Sequence, residues 1–176
     1  MPRKLRHWFP GAIYHMTARG NRHAPIFLSP LDYRTYLSTL IDVKGKYPFF
    51  LHSYCLMTNH LHLQIETIDH TLSEIVKLTH TKYASYFNRT HNLDGHVFQG
   101  RYGSKLILDD HYFLEVNRYI HRNPTEAKMV NTPQDYQWSS YSSYINGTDN
   151  PFIDKTKTLS HFSNLTSYRE FVEKNN

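Results

Sequence analysis

The sequence predicts an α+β fold: four strands in one antiparallel sheet, helices that cover it, an added helix and a helical C-terminal extension. Three observations predict it. Strand-like and helix-like patterns follow one another in the order β-α-β-β-α-β. The second and third strands are separated only by residues 57–59, as in a hairpin. Residues 71–74 read Thr-Leu-Ser-Glu, a capping box that begins a long amphipathic stretch.

The first part of the chain predicts a strand and then a helix. Residues 12–19 form an extended, largely apolar run and predict the first strand. Ser29 followed by Pro30 is typical of a helix start, and the helix is expected to end near Gly45. Its inward face would consist of Leu37, Leu40 and Ile41.

The middle of the chain predicts a hairpin, a second helix and a fourth strand. Residues 49–56 and 60–66 are the expected hairpin strands. The helix that starts after Thr71 carries an apolar stripe and stops near residues 92–95. Residues 98–108 predict the fourth strand, which two glycines interrupt.

A further helix is predicted at residues 112–124. Asp109 or Asp110 can cap its start, and Pro124 disfavours helical geometry at Asn123, where we expect the helix to end. The order of elements is that of a ferredoxin-like βαββαβ sheet, with helices packed on one face and the added helix laid over the other.

Length and composition indicate one folded unit. The 176 residues, 39% of them hydrophobic, suffice for a buried core. We expect residues 1–146 to form a single domain and residues 147–176 a C-terminal extension packed on the same domain. A last helix is predicted near residues 165–174.

Charge and cysteine content limit the possible functions. The formal net charge of +5 suits a polyanionic partner. The single cysteine, Cys55, excludes an internal disulfide framework and a cysteine-rich zinc cluster, and we expect it to be buried. No apolar run approaches the roughly 20 residues that span a bilayer, and the first residues lack the apolar region of a signal peptide. A soluble, cytoplasmic protein is therefore expected.

His60 and His62 stand two residues apart in a strand-like run. Alternation along a strand directs both imidazoles to one face, while Leu61, Leu63 and Ile65 point into the core. A face with two such nitrogen ligands can hold a divalent metal ion.

The added helix supplies two more candidate residues. Tyr119 and Asn123 are one helical turn apart and lie on the same face. If this helix crosses the histidine strand, the amide oxygen of Asn123 becomes a third ligand and the phenol of Tyr119 a nucleophile beside it. His15 and His121 are not expected to be ligands, because one lies on another strand and the other projects away from Tyr119.

Each feature also has an ordinary structural interpretation. A His-x-His pair in a strand is often a satisfied pair with no ligand. The sequence contains 14 tyrosines, and most tyrosines simply pack their rings. Asn123 could serve only as a helix terminus before proline.

Several separated motifs resemble one family. They occupy residues 14–21, 54–62, 98–102, 118–127 and 135–141. In this order they resemble the single-tyrosine HUH transposases, and among them most closely the REP-associated tyrosine transposases. The insertion-sequence branch usually carries Gln where this chain has Asn123, and the Asn-Pro pair favours the REP-associated branch.

The resemblance implies chemistry and ligands. By it, His60, His62 and Asn123 hold Mg²⁺ or Mn²⁺, and Tyr119 on the added catalytic helix attacks single-stranded DNA to leave a 5′-phosphotyrosine and a free 3′-hydroxyl. The DNA is expected to contain a hairpin or palindrome. The sequence leaves open whether the protein acts as a monomer or a homodimer.

Basic residues beside the site are candidates for DNA binding, because cations interleaved with aromatic rings suit single strands. They are Arg3, Lys4, Arg19, Arg22, Arg101, Lys105, Arg118 and Arg122. Two alternatives remain: an HUH nickase of the relaxase or rolling-circle initiator type, and a non-catalytic nucleic-acid-binding relic. The nickase ranks second, behind the transposase, because its usual helicase or large accessory domain is not expected here.

Overall fold

A computed structural model describes residues 7–146 and 150–174, and four of its strands form one antiparallel sheet. They are β1 (Ile13–Arg19), β2 (Phe49–Met57), β3 (His60–Thr67) and β4 (Gly103–Ile107). Their order across the sheet is β2-β3-β1-β4, the order of the ferredoxin-like fold. The predicted α+β architecture is therefore confirmed.

Six α-helices accompany the sheet in the described part of the chain. They are α1 (Pro30–Lys46), α2 (Leu72–His91), α3 (Asp110–Glu126), α4 (Tyr141–Ile145), α5 (Thr156–Leu159) and α6 (Leu165–Glu173). None of these described helices combines the length and apolar character needed to cross a bilayer.

The two faces of the sheet have different partners. Leu61, Leu63 and Ile65 of β3 are fully buried in the core that α1 and α2 complete. Since side chains alternate along a strand, His62 and Gln64 point to the opposite face. There Gln64 donates a hydrogen bond to the carbonyl oxygen of Phe113, so α3 crosses the face that carries the histidines.

Local signals placed most helix boundaries correctly. Thr71 and Glu74 form the predicted capping box at the start of α2. The N-cap of α3 is Asp109, whose carboxylate accepts from the backbone of Tyr112 at 2.7 Å. At the start of α1 the carboxylate of Asp32 accepts from the backbone of Ser29 at 2.9 Å.

Two predicted boundaries were wrong. Helix α3 does not end at Asn123 but continues through Pro124 to Glu126. Pro124 lies in the last turn, where the loss of one backbone N–H disturbs few helical bonds. The fourth strand begins at Gly103 rather than at residue 98. Residues 98–102 instead form a loop beside the end of β1, in which Gly100 has a left-handed backbone conformation.

The C-terminal segment packs on α3 and α4. Within the described residues, Tyr168 of α6 is fully buried, and its hydroxyl donates to the Oδ1 atom of Asn117 at 2.8 Å. The same hydroxyl lies 2.7 Å from Nδ1 of His121. The division of the chain at residue 146 stays a prediction. Cys55 is buried as expected, and burial raises the pKa of its thiol.

Candidate active site

Asn123 of α3 lies between the two histidines of β3. Its Oδ1 atom is 3.3 Å from Nε2 of His60, and its Nδ2 atom is 3.4 Å from Nε2 of His62. The crossing of α3 over the histidine face brings these side chains together from positions more than 60 residues apart in sequence. The three groups that the sequence analysis selected as ligands therefore converge.

Tyr119 lies one turn before Asn123 and beside His62. Its ring centroid is 5.4 Å from that of His62, with the two rings nearly perpendicular. The side chain is 49% exposed, so a large substrate can reach it. Because one chain supplies all four residues, a single copy of the protein contains the whole constellation.

The surroundings of His60 determine which nitrogen carries its proton. The Nδ1 atom lies 2.8 Å from Oδ1 of Asn59, whose Nδ2 group donates to the carbonyl oxygen of His23. A carbonyl oxygen only accepts, so Nδ1 is the protonated nitrogen of the neutral ring. Burial lowers the pKa of His60, although its contact with Asn123 opposes this. The lone pair on Nε2 then faces the oxygen of Asn123.

The side of the His62 ring that faces away from Asn123 contacts His15 of β1. Nδ1 of His62 lies 3.0 Å from Nε2 of His15, and the two rings are stacked. Burial, with the neighbouring His15 and His60, lowers the pKa of His62 to about 3. Burial and then Lys105 lower the pKa of His15 to about 4. Both rings are therefore neutral near pH 7.

The donor set fits a small divalent cation. Two ligand atoms bound about 2.1 Å from one ion are separated by roughly 3.0 to 3.4 Å. The 3.3 Å contact between Nε2 of His60 and Oδ1 of Asn123 has this separation, whereas His62 meets the amide nitrogen of Asn123. The facing lone pairs of His60 and Asn123 repel each other in the absence of a cation. A cation between them would attract both and make this arrangement favourable. Within the described residues no three His, Cys, Asp or Glu side chains are grouped for metal binding, so a site here depends on Asn123.

His121 is on the far side of α3, as expected. It is fully buried, with Nε2 2.7 Å from the hydroxyl of Ser140 and Nδ1 against Tyr168. These bonds connect the site helix to the C-terminal segment. His15 also occupies no position among the three converging ligand groups, but it contacts one of them directly.

A polar groove of about 990 Å³ opens beside Tyr119 and both histidines. Among the described residues that line it, none is acidic and two, Arg19 and Arg101, are cationic. Gly20, which follows Arg19 in the chain, has no room for a side chain, because an added Cβ would meet the carbonyl oxygen of Ala24 at 1.9 Å.

The remaining candidate cations lie elsewhere. The Lys105 ammonium is 4.4 Å from the ring centroid of Tyr112, and Arg22 lies in a 3₁₀ turn outside the groove. Arg118 and Arg122 both donate to the backbone carbonyl of Lys174, at 2.5 Å and 2.7 Å. They hold α6 against α3, and their predicted DNA contact remains a prediction. Arg3 and Lys4 lie outside the described residues.

Sequence analysis missed His15, Asn59 and two further groove residues, His23 and Gln99. One signal could have found His15. Because the even-numbered residues of β1 are buried in the core, His15 must share the face of His62. The loop residues carry no such periodic signal.

Comparison with known proteins identifies the class. The sequence matches the family described as IS200-like transposases over residues 9–123, a range that includes all four site residues. The chain therefore belongs to the IS200-like transposase family. A search of curated proteins gave no significant match.

One solved structure has the same fold. A REP-associated tyrosine transposase bound to a REP hairpin is similar with a TM-score of 0.71 and 20% identity, over 89% of this chain and 94% of that one. A protein from Deinococcus radiodurans R1, described as a candidate transposase, has 16% identity and a TM-score of 0.47, over 69% of this chain and 97% of that one. The resemblance to REP-associated transposases is confirmed at the level of the fold.

Proposed function

We propose that this transposase cuts and rejoins single-stranded DNA, with Tyr119 as the nucleophile. The observation that carries the proposal is the position of Tyr119, half exposed, beside the convergent side chains of His60, His62 and Asn123. A nucleophile next to ligands that can hold a Lewis-acidic ion, which in turn binds a phosphate oxygen, is an arrangement suited to phosphoryl transfer.

The reaction exchanges one phosphodiester for another. The Tyr119 oxygen bonds to the scissile phosphorus and loses its proton, and the bond from phosphorus to the 3′-oxygen breaks. The departing 3′-oxygen takes up a proton to give a 3′-hydroxyl, while the 5′-phosphate stays on Tyr119. A 3′-hydroxyl of the same or another strand can reverse the step, so rejoining consumes no nucleotide cofactor.

We further propose that His60, His62 and Asn123 hold Mg²⁺ or Mn²⁺. Such an ion supplies Lewis-acid polarisation of a non-bridging phosphate oxygen. Two neutral imidazoles and one amide add no negative charge, so this set leaves ligand positions and charge for a phosphate. The low pKa of His62, about 3, keeps its ring available as a ligand throughout the neutral range.

The proposed substrate is a single strand that carries a hairpin. The groove beside Tyr119 presents Arg19 and Arg101 for phosphates and polar groups such as His23 and Gln99 for bases. Support for the hairpin comes from the REP-associated transposase of similar fold, which was solved with a REP hairpin.

The test uses hairpin-bearing single-stranded oligonucleotides with Mn²⁺ and denaturing gels. With a 3′-end label, we expect the labelled fragment to migrate as a covalent protein adduct. With a 5′-end label, the product is a shorter strand with an extendable 3′-hydroxyl. Tyr119→Phe should form neither product, because its ring lacks the attacking oxygen.

Tyr112→Phe is the matched control, since Tyr112 lies on the same helix about two turns earlier and packs against Lys105. It should cleave like the wild type. Equal cleavage by Tyr119→Phe and the wild type would reject the proposed nucleophile. Products with a 5′-phosphate free of protein would instead indicate attack by water.

A further inference from the structure

We infer that His15 is a positioning residue, which fixes the proton and the orientation of His62 so that Nε2 of His62 faces the metal site. The inference rests on the proposed function for the role of Nε2. The hydrogen bond itself, between Nε2 of His15 and Nδ1 of His62 at 3.0 Å, is a property of the fold.

The direction of this hydrogen bond follows from the other side of the His62 ring. Nε2 of His62 is 3.4 Å from Nδ2 of Asn123, an atom that can only donate. The lone pair of the neutral His62 ring is therefore on Nε2, and its proton is on Nδ1. It follows that His62 donates and that Nε2 of His15 accepts.

The same arrangement recurs at His60 with a different partner. There Nδ1 donates to Oδ1 of Asn59, and Nε2 faces Asn123. In both site imidazoles, therefore, Nδ1 donates a hydrogen bond to a supporting residue and Nε2 points towards Asn123. A second-sphere acceptor of this kind sets the tautomer and ring orientation of a metal-binding histidine.

The location of His15 makes it a rigid support. It lies on β1, which is bonded on one side to β3 and on the other to β4. Thr17 is directly opposite His62 and Gln64 is opposite His15, so the imidazole of His15 reaches diagonally across the strands. Its ring also contacts the edge of Tyr119, at a centroid distance of 5.7 Å. Movement of His15 would disturb both the ligand and the nucleophile.

Two substitutions separate the role of the acceptor from that of the ring. His15→Gln keeps an acceptor oxygen near the position of Nε2, whereas His15→Leu has comparable bulk and no acceptor. His161→Leu, at an exposed position outside the site, is the matched control. Thermal unfolding of each variant verifies that it is folded.

The first measurement is the tautomer of His62 in the metal-free protein, from long-range ¹H–¹⁵N NMR correlations. The wild type, His15→Gln and His161→Leu should all show protonated Nδ1. In His15→Leu the form with protonated Nε2 should appear, because no acceptor remains for Nδ1. An unchanged tautomer of His62 in a folded His15→Leu variant would overturn the inference.

The second measurement is Mn²⁺ affinity from electron paramagnetic resonance of the free ion. His15→Leu should bind Mn²⁺ about 10 to 100 times more weakly than the wild type, and His15→Gln within about threefold of it. Equal loss in both variants would overturn the inference, since it would make His15 a ligand. Wild-type protein with the expected tautomer but no DNA adduct would reject the proposed function and leave the support of His62 by His15 established.

Discussion

The carboxamide oxygen of Asn123 lies 3.3 Å from Nε2 of His60, although 63 positions separate the two residues in the chain. This contact connects the helix of the proposed nucleophile to the strand of the histidines. Under the proposed function, Asn123 is the ligand that joins the helix of Tyr119 to the metal-binding histidines.

Replacing Asn123 tests that role. Asn123→Leu removes the amide with little change in volume, and we expect Mn²⁺ affinity to fall at least about tenfold and cleavage about 100-fold. Asn123→Asp keeps an oxygen at the same position and should retain Mn²⁺ binding. Isothermal titration and single-turnover cleavage measure the two effects. Wild-type Mn²⁺ affinity in Asn123→Leu would contradict the assignment of Asn123 as a ligand.

The groove cations should contribute to DNA affinity in a salt-dependent manner. Arg19→Ala and Arg101→Ala each remove one phosphate contact, so each should reduce the slope of log affinity against log salt by about 0.7. Fluorescence anisotropy with a labelled hairpin strand at several salt concentrations measures this slope. Arg34→Ala is the control, because Arg34 is exposed on α1 across the sheet. A slope change as large in Arg34→Ala would mean that the groove does not bind the phosphates.

The hydroxyl of Tyr168 should stabilise the contact between α6 and α3. Tyr168→Phe leaves Oδ1 of Asn117 and Nδ1 of His121 without this partner in a fully buried setting. Unpaired buried polar groups cost about 1 to 3 kcal/mol each, so the free energy of unfolding should fall by roughly 2 to 6 kcal/mol. Urea denaturation measures the loss. Tyr47→Phe, at a partly buried position in the loop after α1, should change stability much less.

Acid should destabilise the fold through His80. Burial lowers the pKa of His80 from its usual 6.5 to about 3, and its ring stacks on Phe98. Below pH 6.5 the unfolded chain takes up a proton that the folded protein does not, so the free energy of unfolding decreases as the pH falls towards 3. The contribution is about 1.4 kcal/mol per pH unit.

His80→Gln removes this titration. The variant should be less stable than the wild type at pH 7, and the difference should narrow as the pH falls from 6.5 to 4.5. Urea denaturation at several pH values, followed by tryptophan fluorescence, provides the comparison. Parallel stability curves for the two proteins would show that His80 is not responsible.

What the sequence predicted well depends on local chemistry. The capping box at Thr71, the cap at Asp109 and the hairpin around residues 57–59 are each specified by a few adjacent residues. The alternation that directs His60 and His62 to one face is equally local, since it follows from the geometry of a single strand.

What the sequence did not predict depends on long-range register. The contact between His15 and His62 requires β1 and β3 to pair in one particular alignment, which neither strand encodes alone. The bonds of Arg118 and Arg122 to Lys174 depend on where α6 packs, more than 50 residues later. A basic residue on a helix is compatible with a phosphate or with a backbone carbonyl, and only the fold distinguishes them.

Helix α3 carries Tyr119 and is joined to the C-terminal segment on both sides of that residue, by Asn117 and Arg118 before it and His121 and Arg122 after it. An anchored helix of this kind gives a captured strand little freedom to swing away from the sheet. In the proposed rejoining step, therefore, the incoming DNA end would move to Tyr119, while helix α3 would keep its position.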